Sequence, residues 1–403
     1  MSIDATACIL RVARGDPAAA QAQNKSYAEA LKEGHTAFRS MKAPNCAWVA
    51  AEDILRGHTK GFFLLRVGQA ELCDILADVP ADWVEALRAG RAGLILDQST
   101  DGHPFRSKNT CHRQLQVRGI PPSRVVYITQ NRSFQDAYNR WCKKRGVEDC
   151  IAVVNYDCLI SWFCRRSWSD PAAALAEKIQ HFEKRTEIEK RFVCLNNKPR
   201  LWRIALLTRL IKDNYWDDGF ISFGGLEFEL KRRGSTPDLK MGSDEVERFR
   251  RLNLAAGSEA YLEALAGKGQ VLFGNDPPGS PPGSEKAGKR KVRRTGDSST
   301  YIYRRSAFTL VTETNMRKTA DRITEKSLKP MANCHPAILF ADYGALSLLK
   351  SFGFKSFEPW IDEGYDAIEE PEARFLAAYA AFRQFYKTAW DRLREDRELR
   401  DVL

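Results

Sequence analysis

Short apolar runs alternate with helical patterns through the first half of the chain. The runs of strand length occupy residues 62–65, 93–97, 125–129 and 151–156. Helical repeats over 82–89 and 134–144 separate them. Apolar runs that end in polar residues and alternate with helices are typical of a parallel sheet covered on both faces. The pattern therefore predicts an α/β domain over residues 61–185.

The same alternation returns in the second half. Four more strand-length runs occupy residues 191–195, 219–223, 308–311 and 337–340. An apolar helix over 204–211 follows the first of these runs, and Thr324 is placed to cap a helix after the third. Between about 225 and 300 the alternation lapses into Pro/Gly/Ser-rich sequence, which predicts a partly disordered insertion. We expect a second α/β domain over residues 186–370.

Both ends of the chain show helical patterns. Residues 1–60 have helical spacing at 27–38 and 46–55, which predicts a mainly helical N-terminal extension. Residues 371–403 place Phe and Tyr side chains along one helical face. We expect this last helix to pack across both halves of the molecule.

Length and composition agree with two domains. The chain has 403 residues and is 43% hydrophobic, which is enough for two sizeable cores. No stretch has the apolar length of a membrane span, and charges interrupt the place where a signal peptide has its apolar region. The ten cysteines follow no paired framework, as expected of reduced thiols. These features predict a cytoplasmic protein.

The formal net charge of +11 predicts an anionic partner, such as nucleotide phosphates, an acidic glycan or nucleic acid. Much of the excess lies in a basic run over residues 286–294. That run is either a solvated loop or a contact for a polyanion. Residues 159–168 interleave Trp and Arg, which suits stacking on bases or sugars and also suits ordinary packing.

Candidate acid/base groups follow the second strand of the first half. Asp97, Asp101 and His103 lie at and just after its carboxyl end, where ligands bind in parallel α/β sheets. A carboxylate or imidazole there could deprotonate an acceptor nucleophile. Each residue could equally serve as a turn or cap, and the sequence does not choose among the three.

Two helix starts in the second half carry groups suited to phosphate. Asn196, Arg200 and Arg203 follow the strand over 191–195 and lead into the next helix. Thr324 precedes a second helix start that contains two lysines. Free N–H groups and the helix dipole favour negative charge at such places. Pairing of these arginines with surface acids is the alternative interpretation.

The stretch from Phe308 to Glu313, followed by Asp-Arg-Ile-Thr-Glu-Lys at 321–326, resembles the donor-binding segment of α1,3-fucosyltransferase-like enzymes. More broadly it is similar to the nucleotide-sugar half of two-domain GT-B glycosyltransferases. The resemblance implies that Glu325 binds the nucleotide ribose and that Lys326 meets the diphosphate. It also implies that Glu313 lines the donor site.

The resemblance covers less than a tenth of the chain, and it departs in two places. Thr314 stands where the fucosyltransferases have asparagine, and residues 327–330 replace their usual continuation. Membership in the wider superfamily is therefore favoured over specificity for GDP-fucose.

The resulting prediction is a GT-B-like fold, in which two Rossmann-like α/β domains face a cleft. The first domain would offer the acceptor, a glycan or a modified nucleic-acid base. The second would bind a UDP- or GDP-sugar as substrate, with no permanently bound cofactor and no metal. The residues expected to hold the nucleotide sugar are Asn196, Arg200, Arg203, Thr312, Glu313, Thr324, Glu325, Lys326 and Lys329.

Several other classes lack their signatures in the sequence. There is no Asp-x-Asp pair after a strand, no phosphate-binding glycine loop, no Cys-x-x-Cys pair and no serine-hydrolase elbow. The competing hypothesis is a nucleic-acid-binding protein without catalysis. It depends on the net charge, the basic run over 286–294 and the Trp/Arg stretch.

Overall fold

A computed structural model describes most of the regular elements of the chain. The described residues are 6–9, 47–48, 51–58, 60–66, 76–77, 79–99, 108–157, 176, 188–196, 199–225, 258–269, 300–314, 316, 322–333 and 335–395. The chain divides into two compact units, Met1–Trp162 and Phe163–Leu403. The predicted domain boundary at 185/186 falls 23 residues beyond this division. Within the described residues, no helix has both the length and the apolar character needed to cross a membrane.

The first unit is built on a six-stranded parallel sheet with the order β2-β1-β3-β4-β5-β6. Its strands are β1 (Thr6–Ile9), β2 (Ala47–Trp48), β3 (Gly61–Arg66), β4 (Ala92–Gln98), β5 (Val125–Thr129) and β6 (Ala152–Asn155). Its helices are α1 (Ala51–Leu55), α2 (Ala81–Arg88), α3 (Lys108–Arg118) and α4 (Arg132–Arg145), with a 3-10 turn at Pro122–Arg124. The four predicted strands of this half are confirmed as β3 to β6.

The prediction of a mainly helical segment over residues 1–60 is wrong in two places. Thr6–Ile9 and Ala47–Trp48 are strands that extend the sheet beyond β3. The predicted helix over 46–55 is reduced to Ala51–Leu55, and the predicted helix at 27–38 lies outside the described residues. Strands of two to four residues form by pairing with a longer neighbour, so they leave little periodicity in the local sequence.

The centre of the first unit is a buried sheet packed on α2. All seven residues of β4 are buried. Gly93 lies directly against the ring of Phe62 on the neighbouring strand, so a side chain at this position would collide with that ring. On the sheet, Phe63 stacks on Trp83 of α2 with ring centroids 3.9 Å apart. Burial of aromatic side chains of this size stabilises a domain by about 2–3 kcal/mol each.

The second unit contains a four-stranded parallel sheet with the order β10-β9-β7-β8. Its strands are β7 (Lys190–Leu195), β8 (Gly219–Ser222), β9 (Ser306–Thr312) and β10 (Ala337–Phe340). Its helices are α5 (Leu201–Lys212), α6 (Ser258–Gly267), α7 (Thr300–Arg304), α8 (Glu325–Ala332), α9 (Ala345–Ser351) and α10 (Pro371–Glu395), with 3-10 turns at Trp216–Asp218 and Gly364–Ala367. All four predicted strands of this half are confirmed. Outside α6 and its C-terminal end, the predicted insertion lies almost entirely beyond the described residues.

Helix α10 covers the four-stranded sheet with aromatic side chains. Its rings meet one ring on each of three strands, and the pairs are Phe340–Phe375, Phe192–Phe382 and Phe308–Phe385. The Tyr379 hydroxyl donates to Asp213 Oδ2 at 2.8 Å, which joins α10 to the end of α5. The prediction of a long helix with one apolar face is confirmed. The contacts described for this helix are with the second unit.

The order of strands places a switch point between β7 and β9, and we call the carboxyl edge of the sheet at this point the crevice. From β7 the chain crosses through α5 to β8 on one side, and it later returns to add β9 on the opposite side of β7. The next crossover, through α8, then continues away to β10. Successive crossovers thus leave β7 and β9 in opposite directions, and ligands of open α/β sheets bind at the carboxyl edge of such a switch point.

Candidate functional site at the switch point of the second sheet

Asn196 and Thr312 form the floor of this crevice. Asn196 follows β7 and is completely buried, and its Oδ1 accepts a hydrogen bond from the hydroxyl of Thr312 at the end of β9. The backbone N–H of Asn196 donates to the carbonyl of Ser222 at 2.9 Å, at the end of β8. Through its side-chain oxygen and its backbone N–H, Asn196 therefore connects the carboxyl ends of three strands, β7, β8 and β9. Both side chains, predicted to contact a ligand, have internal partners.

Arg203 places a buried cation beside this floor. It is only 3% exposed, and its Nη2 donates to the carbonyl of Thr312 at 3.5 Å. Burial, and next the charge of Arg200, lower the pKa of Arg203 to about 10, although Glu313 and Glu325 oppose the shift. Arg203 is thus within electrostatic range of charges on α5, β9 and α8. Its hydrogen bond to Thr312 connects α5 to the end of β9.

The start of α5 carries two positive side chains, Arg200 and Arg203. Arg200 is the N-cap residue, it is exposed, and its side chain makes no capping hydrogen bond. The first turn of α5 contains no Asp or Glu. Positive side chains add here to the positive end of the helix dipole, so the local potential favours an anion.

Glu313 lies just beyond β9 with its carboxylate turned to the start of α8. Only 6% of the residue is exposed, and its oxygens accept from Thr324 N–H at 3.2 Å, Thr324 Oγ1 at 2.6 Å and Ser327 Oγ at 2.7 Å. Burial acts to raise the pKa of Glu313. The charge of Lys326 and the hydrogen bonds from Thr324 and Ser327 outweigh burial, so the pKa lies below its ordinary value.

The N-terminus of α8 therefore already holds an anion, which belongs to the chain itself. Thr324 is the N-cap residue, as its sequence context predicts, and its Oγ1 accepts from the Lys326 N–H at 3.4 Å. The sequence indicated an external anionic group at this helix start. The buried carboxylate of Glu313 occupies that position. The sequence did not reveal this contact, because Glu313 and Thr324 are 11 residues apart in the chain.

Glu325 and Lys326 are the more accessible groups at the start of α8. Their side chains are 14% and 25% exposed, and Lys326 Nζ lies 3.0 Å from Glu325 Oε1. The same ammonium donates to Thr324 Oγ1 at 3.2 Å. Lys329 follows three residues later on α8, on the same side of the helix, and is partly exposed. A carboxylate suits the hydroxyls of a ribose, and ammonium groups suit phosphate oxygens.

The charges around the crevice leave an excess of two positive units. The predicted site residues include four cationic side chains and two carboxylates, so their formal charges sum to +2. The cations are Arg200, Arg203, Lys326 and Lys329, and the carboxylates are Glu313 and Glu325. A nucleotide diphosphate ester carries about the opposite charge, which makes the crevice electrostatically complementary to it.

Sequence reasoning missed Arg374, which fixes the loop that leads from Glu313 to α8. Arg374 is 1% exposed on α10 and donates to four backbone carbonyls. These are the carbonyls of Ala341 at 3.0 Å, Ile368 at 2.6 Å, Glu369 at 2.9 Å and Met316 at 3.1 Å. An arginine in a helical pattern gave no signal for this role, because its partners lie up to 58 residues away in the chain.

Asp366 holds the start of another helix, α9, in a similar way. It is 8% exposed, and its carboxylate accepts from Leu346 N–H at 2.9 Å and from Ser347 N–H and Oγ at 3.0 Å each. These contacts hold the start of α9. Asp366 and Glu313 are thus two buried carboxylates that anchor two successive helices of the second unit.

Of the three acid/base candidates in the first unit, the structure describes Asp97. Asp97 is 2% exposed near the end of β4, and its Oδ1 accepts from Ser99 N–H at 2.9 Å. On the neighbouring strand end, Asn131 caps α4 by accepting from Phe134 N–H at 3.1 Å. The edge is therefore polar and buried at both strands.

Asp101 and His103 lie outside the described residues, as do the basic run over 286–294 and the Trp/Arg stretch over 159–168. The choice of an acid/base residue stays a prediction.

Comparison of the chain with known protein families, characterised proteins and solved structures finds no significant match. Within the part of the chain that the structure describes, no three His, Cys, Asp or Glu side chains are grouped to hold a metal ion. The chain is an α/β protein with two parallel sheets, and the crevice between β7 and β9 is its best-defined candidate site.

Proposed function

We propose that the protein is a glycosyltransferase that binds a nucleotide-diphosphate sugar at the switch point of the four-stranded sheet. The observation that carries the proposal is the convergence of two helix starts on one crevice. Arg203 of α5 donates to the carbonyl of Thr312 at the end of β9, directly before Glu313, and Glu313 accepts from Thr324 and Ser327 at the start of α8. Groups suited to phosphate and to a ribose diol therefore meet where α/β sheets bind nucleotides.

Each accessible group has a role in this proposal. Arg200, Lys326 and Lys329 bind the diphosphate from the two helix starts, and Arg203 adds a buried positive charge beneath it. Glu325 accepts hydrogen bonds from the ribose hydroxyls. The cations also stabilise the charge that develops on the departing diphosphate, because fixed charges of this kind act without reorganisation.

The proposed arrangement is GT-B-like, with two Rossmann-like domains that face a cleft. The first unit then presents the acceptor, a glycan or a modified nucleic-acid base. The base that deprotonates it comes from the group Asp97, Asp101 and His103. The resemblance of residues 308–326 to the donor segment of GT-B enzymes supports this assignment, as does the pair of parallel sheets.

Thermal stabilisation by nucleoside diphosphates tests the donor site. UDP and GDP are added separately at 1 mM, and the melting temperature is recorded for the wild type, Lys326→Ala and Lys355→Ala. Lys355 is an exposed lysine of the same unit and serves as the matched control. A ligand present at about 100 times its Kd stabilises a protein by about 2.7 kcal/mol. We expect one nucleotide to stabilise the wild type and Lys355→Ala, and Lys326→Ala to lose that shift. No shift with either nucleotide in the wild type would contradict the proposal.

The second candidate function is nucleic-acid binding without catalysis, which the net charge of +11 favours. Such a protein would lose affinity for DNA or RNA steeply as salt rises, because each phosphate contact releases counterions. Binding would not depend on Lys326. Titration of a fluorescent oligonucleotide at 50 and 200 mM salt, with wild type and Lys326→Ala, separates this function from donor binding.

A further inference from the structure

We infer that Glu313 is a positioning residue, whose buried carboxylate fixes the start of α8 and thereby holds Lys326 ready for a ligand phosphate. The inference rests on the proposed function, because it assigns the geometry of the same site. It differs from the role that sequence resemblance implied for Glu313, which was to line the donor site itself.

The position of Glu313 is fixed from both sides. Its backbone N–H donates to the Phe340 carbonyl at 3.0 Å, which locks the residue to the end of β10. Its side chain accepts from Thr324 and Ser327, the N-cap residue and the third residue of α8. Glu313 thus connects the sheet edge directly to the first turn of the helix, across a loop of ten residues.

The Thr324 hydroxyl transmits this constraint to Lys326. A hydroxyl has one proton to donate and two lone pairs that accept. Thr324 Oγ1 gives its proton to Glu313 at 2.6 Å, so its lone pairs face the N–H and the Nζ of Lys326 at 3.4 and 3.2 Å. The carboxylate of Glu313 therefore determines the direction of the hydroxyl, and the hydroxyl in turn orients the ammonium.

A negative charge at Glu313 is needed as well as its shape. Its neighbours present N–H and O–H donors, the positive end of the α8 dipole and the ammonium of Lys326. A glutamine at this position would keep the volume but would turn one amide donor toward these donors. Without the carboxylate, the hydroxyl of Thr324 would be free to rotate, and the ammonium would keep Glu325 as an acceptor but lose the fixed direction of its second acceptor, Thr324 Oγ1.

The test separates positioning from stability by using two buried carboxylates of the same unit. Glu313→Gln and the control Asp366→Asn each remove a charge that anchors a helix start. Unfolding by urea gives the stability of each variant. Titration with whichever of UDP or GDP stabilises the wild type gives the Kd of the folded protein at 20 °C. We expect both variants to lose stability, Glu313→Gln to raise the Kd by at least about tenfold, and Asp366→Asn to change it by less than about twofold.

A double-mutant cycle with Lys326→Ala shows whether Glu313 acts through Lys326. Because the effect of a positioning residue requires the group that it positions, Glu313→Gln should change the Kd by less than about twofold in the Lys326→Ala background. Ser327→Ala removes only one of the hydrogen bonds to Glu313 and gives a smaller loss of affinity. If Glu313→Gln does not fold, the same double-mutant cycle is measured with Ser327→Ala and Lys326→Ala.

Two results would overturn the inference. Either Glu313→Gln is destabilised like Asp366→Asn but binds the nucleotide like the wild type, or its loss of affinity persists unchanged in the Lys326→Ala background. A wild type that binds neither UDP nor GDP would instead refute the proposed function, so the two failures are distinguishable.

Discussion

Arg374 offers the sharpest prediction about stability. Its guanidinium is buried and donates hydrogen bonds to four backbone carbonyls in three segments. These carbonyls belong to Met316 in the loop before α8, to Ala341 after β10, and to Ile368 and Glu369 ahead of α10. Replacement by methionine keeps most of the aliphatic volume and removes every one of these donors. The perturbation therefore isolates the hydrogen bonds of the guanidinium from its packing.

The magnitude follows from the number and kind of bonds. A hydrogen bond to a charged group contributes about 1.5–3 kcal/mol, so four taken singly would give roughly 6–12 kcal/mol. That simple sum overestimates the effect, because the bonds share one side chain and because burying the guanidinium is itself costly. We expect Arg374→Met to lower the free energy of unfolding by about 4 kcal/mol. Arg374→Lys should cost about half as much, because an ammonium has three donors and a different shape.

Urea denaturation followed by circular dichroism measures the effect, and hydrogen exchange locates it. Arg383 lies on the same helix but is exposed, so Arg383→Met is the matched control, with an expected change below about 0.5 kcal/mol. In Arg374→Met, exchange should accelerate in peptides that contain Met316 and Ala341. A loss below about 1 kcal/mol with unchanged exchange would refute the argument that Arg374 holds these segments together.

Three further predictions concern single residues of the two units. Asn131→Ala should cost about 1 kcal/mol by removing the cap of α4, and Asn131→Asp should restore most of it in the same urea assay. Burial lowers the pKa of His112 in the folded protein, although the charge of Asp149 opposes the shift. Below the ordinary histidine pKa of 6.5, the unfolded state therefore binds more protons than the folded state, and the free energy of unfolding falls as the pH drops. Comparing His112→Gln with the wild type between pH 8 and 5 measures this loss, which the variant should not show. Cys194 is fully buried with its pKa raised to about 12 by burial, so iodoacetamide should label it only after unfolding, as read by mass spectrometry.

Most strands of the two sheets could be predicted from local sequence, including β6 at the edge of the first sheet, where two of the four residues are exposed. Eight of the ten strands, β3 to β10, coincide with the apolar runs of the sequence, because each run had to supply its own hydrophobic contacts. The two that were missed, β1 and β2, are short strands at one side of the first sheet. β1 forms by pairing with β3, and β2 by pairing with β1, and no local periodicity in the sequence records such pairing.

The candidate site was predictable only where its chemistry is local. Thr324 caps α8 through the residue two positions on, a spacing that the sequence displays directly. By contrast, the Thr312 hydroxyl reaches Asn196 across 116 residues, and Glu313 reaches Ser327 across 14. Such contacts arise from the order of strands in the sheet. The local motif therefore indicates which segments to consider, while the order of strands determines the partners of their polar groups.

The residues of the candidate site fall into two groups according to their burial. Asn196, Thr312 and Glu313 have internal partners, so their substitution should reduce stability together with any binding. Arg200 and Lys326 remain accessible at the two helix starts, so their substitution should reduce binding while leaving the fold intact. If the proposed donor site is correct, variants of the buried residues should lose both stability and binding, whereas variants of the accessible residues should lose binding alone. A buried residue whose loss weakens binding without any cost in stability would mean that the crevice opens further when a ligand enters.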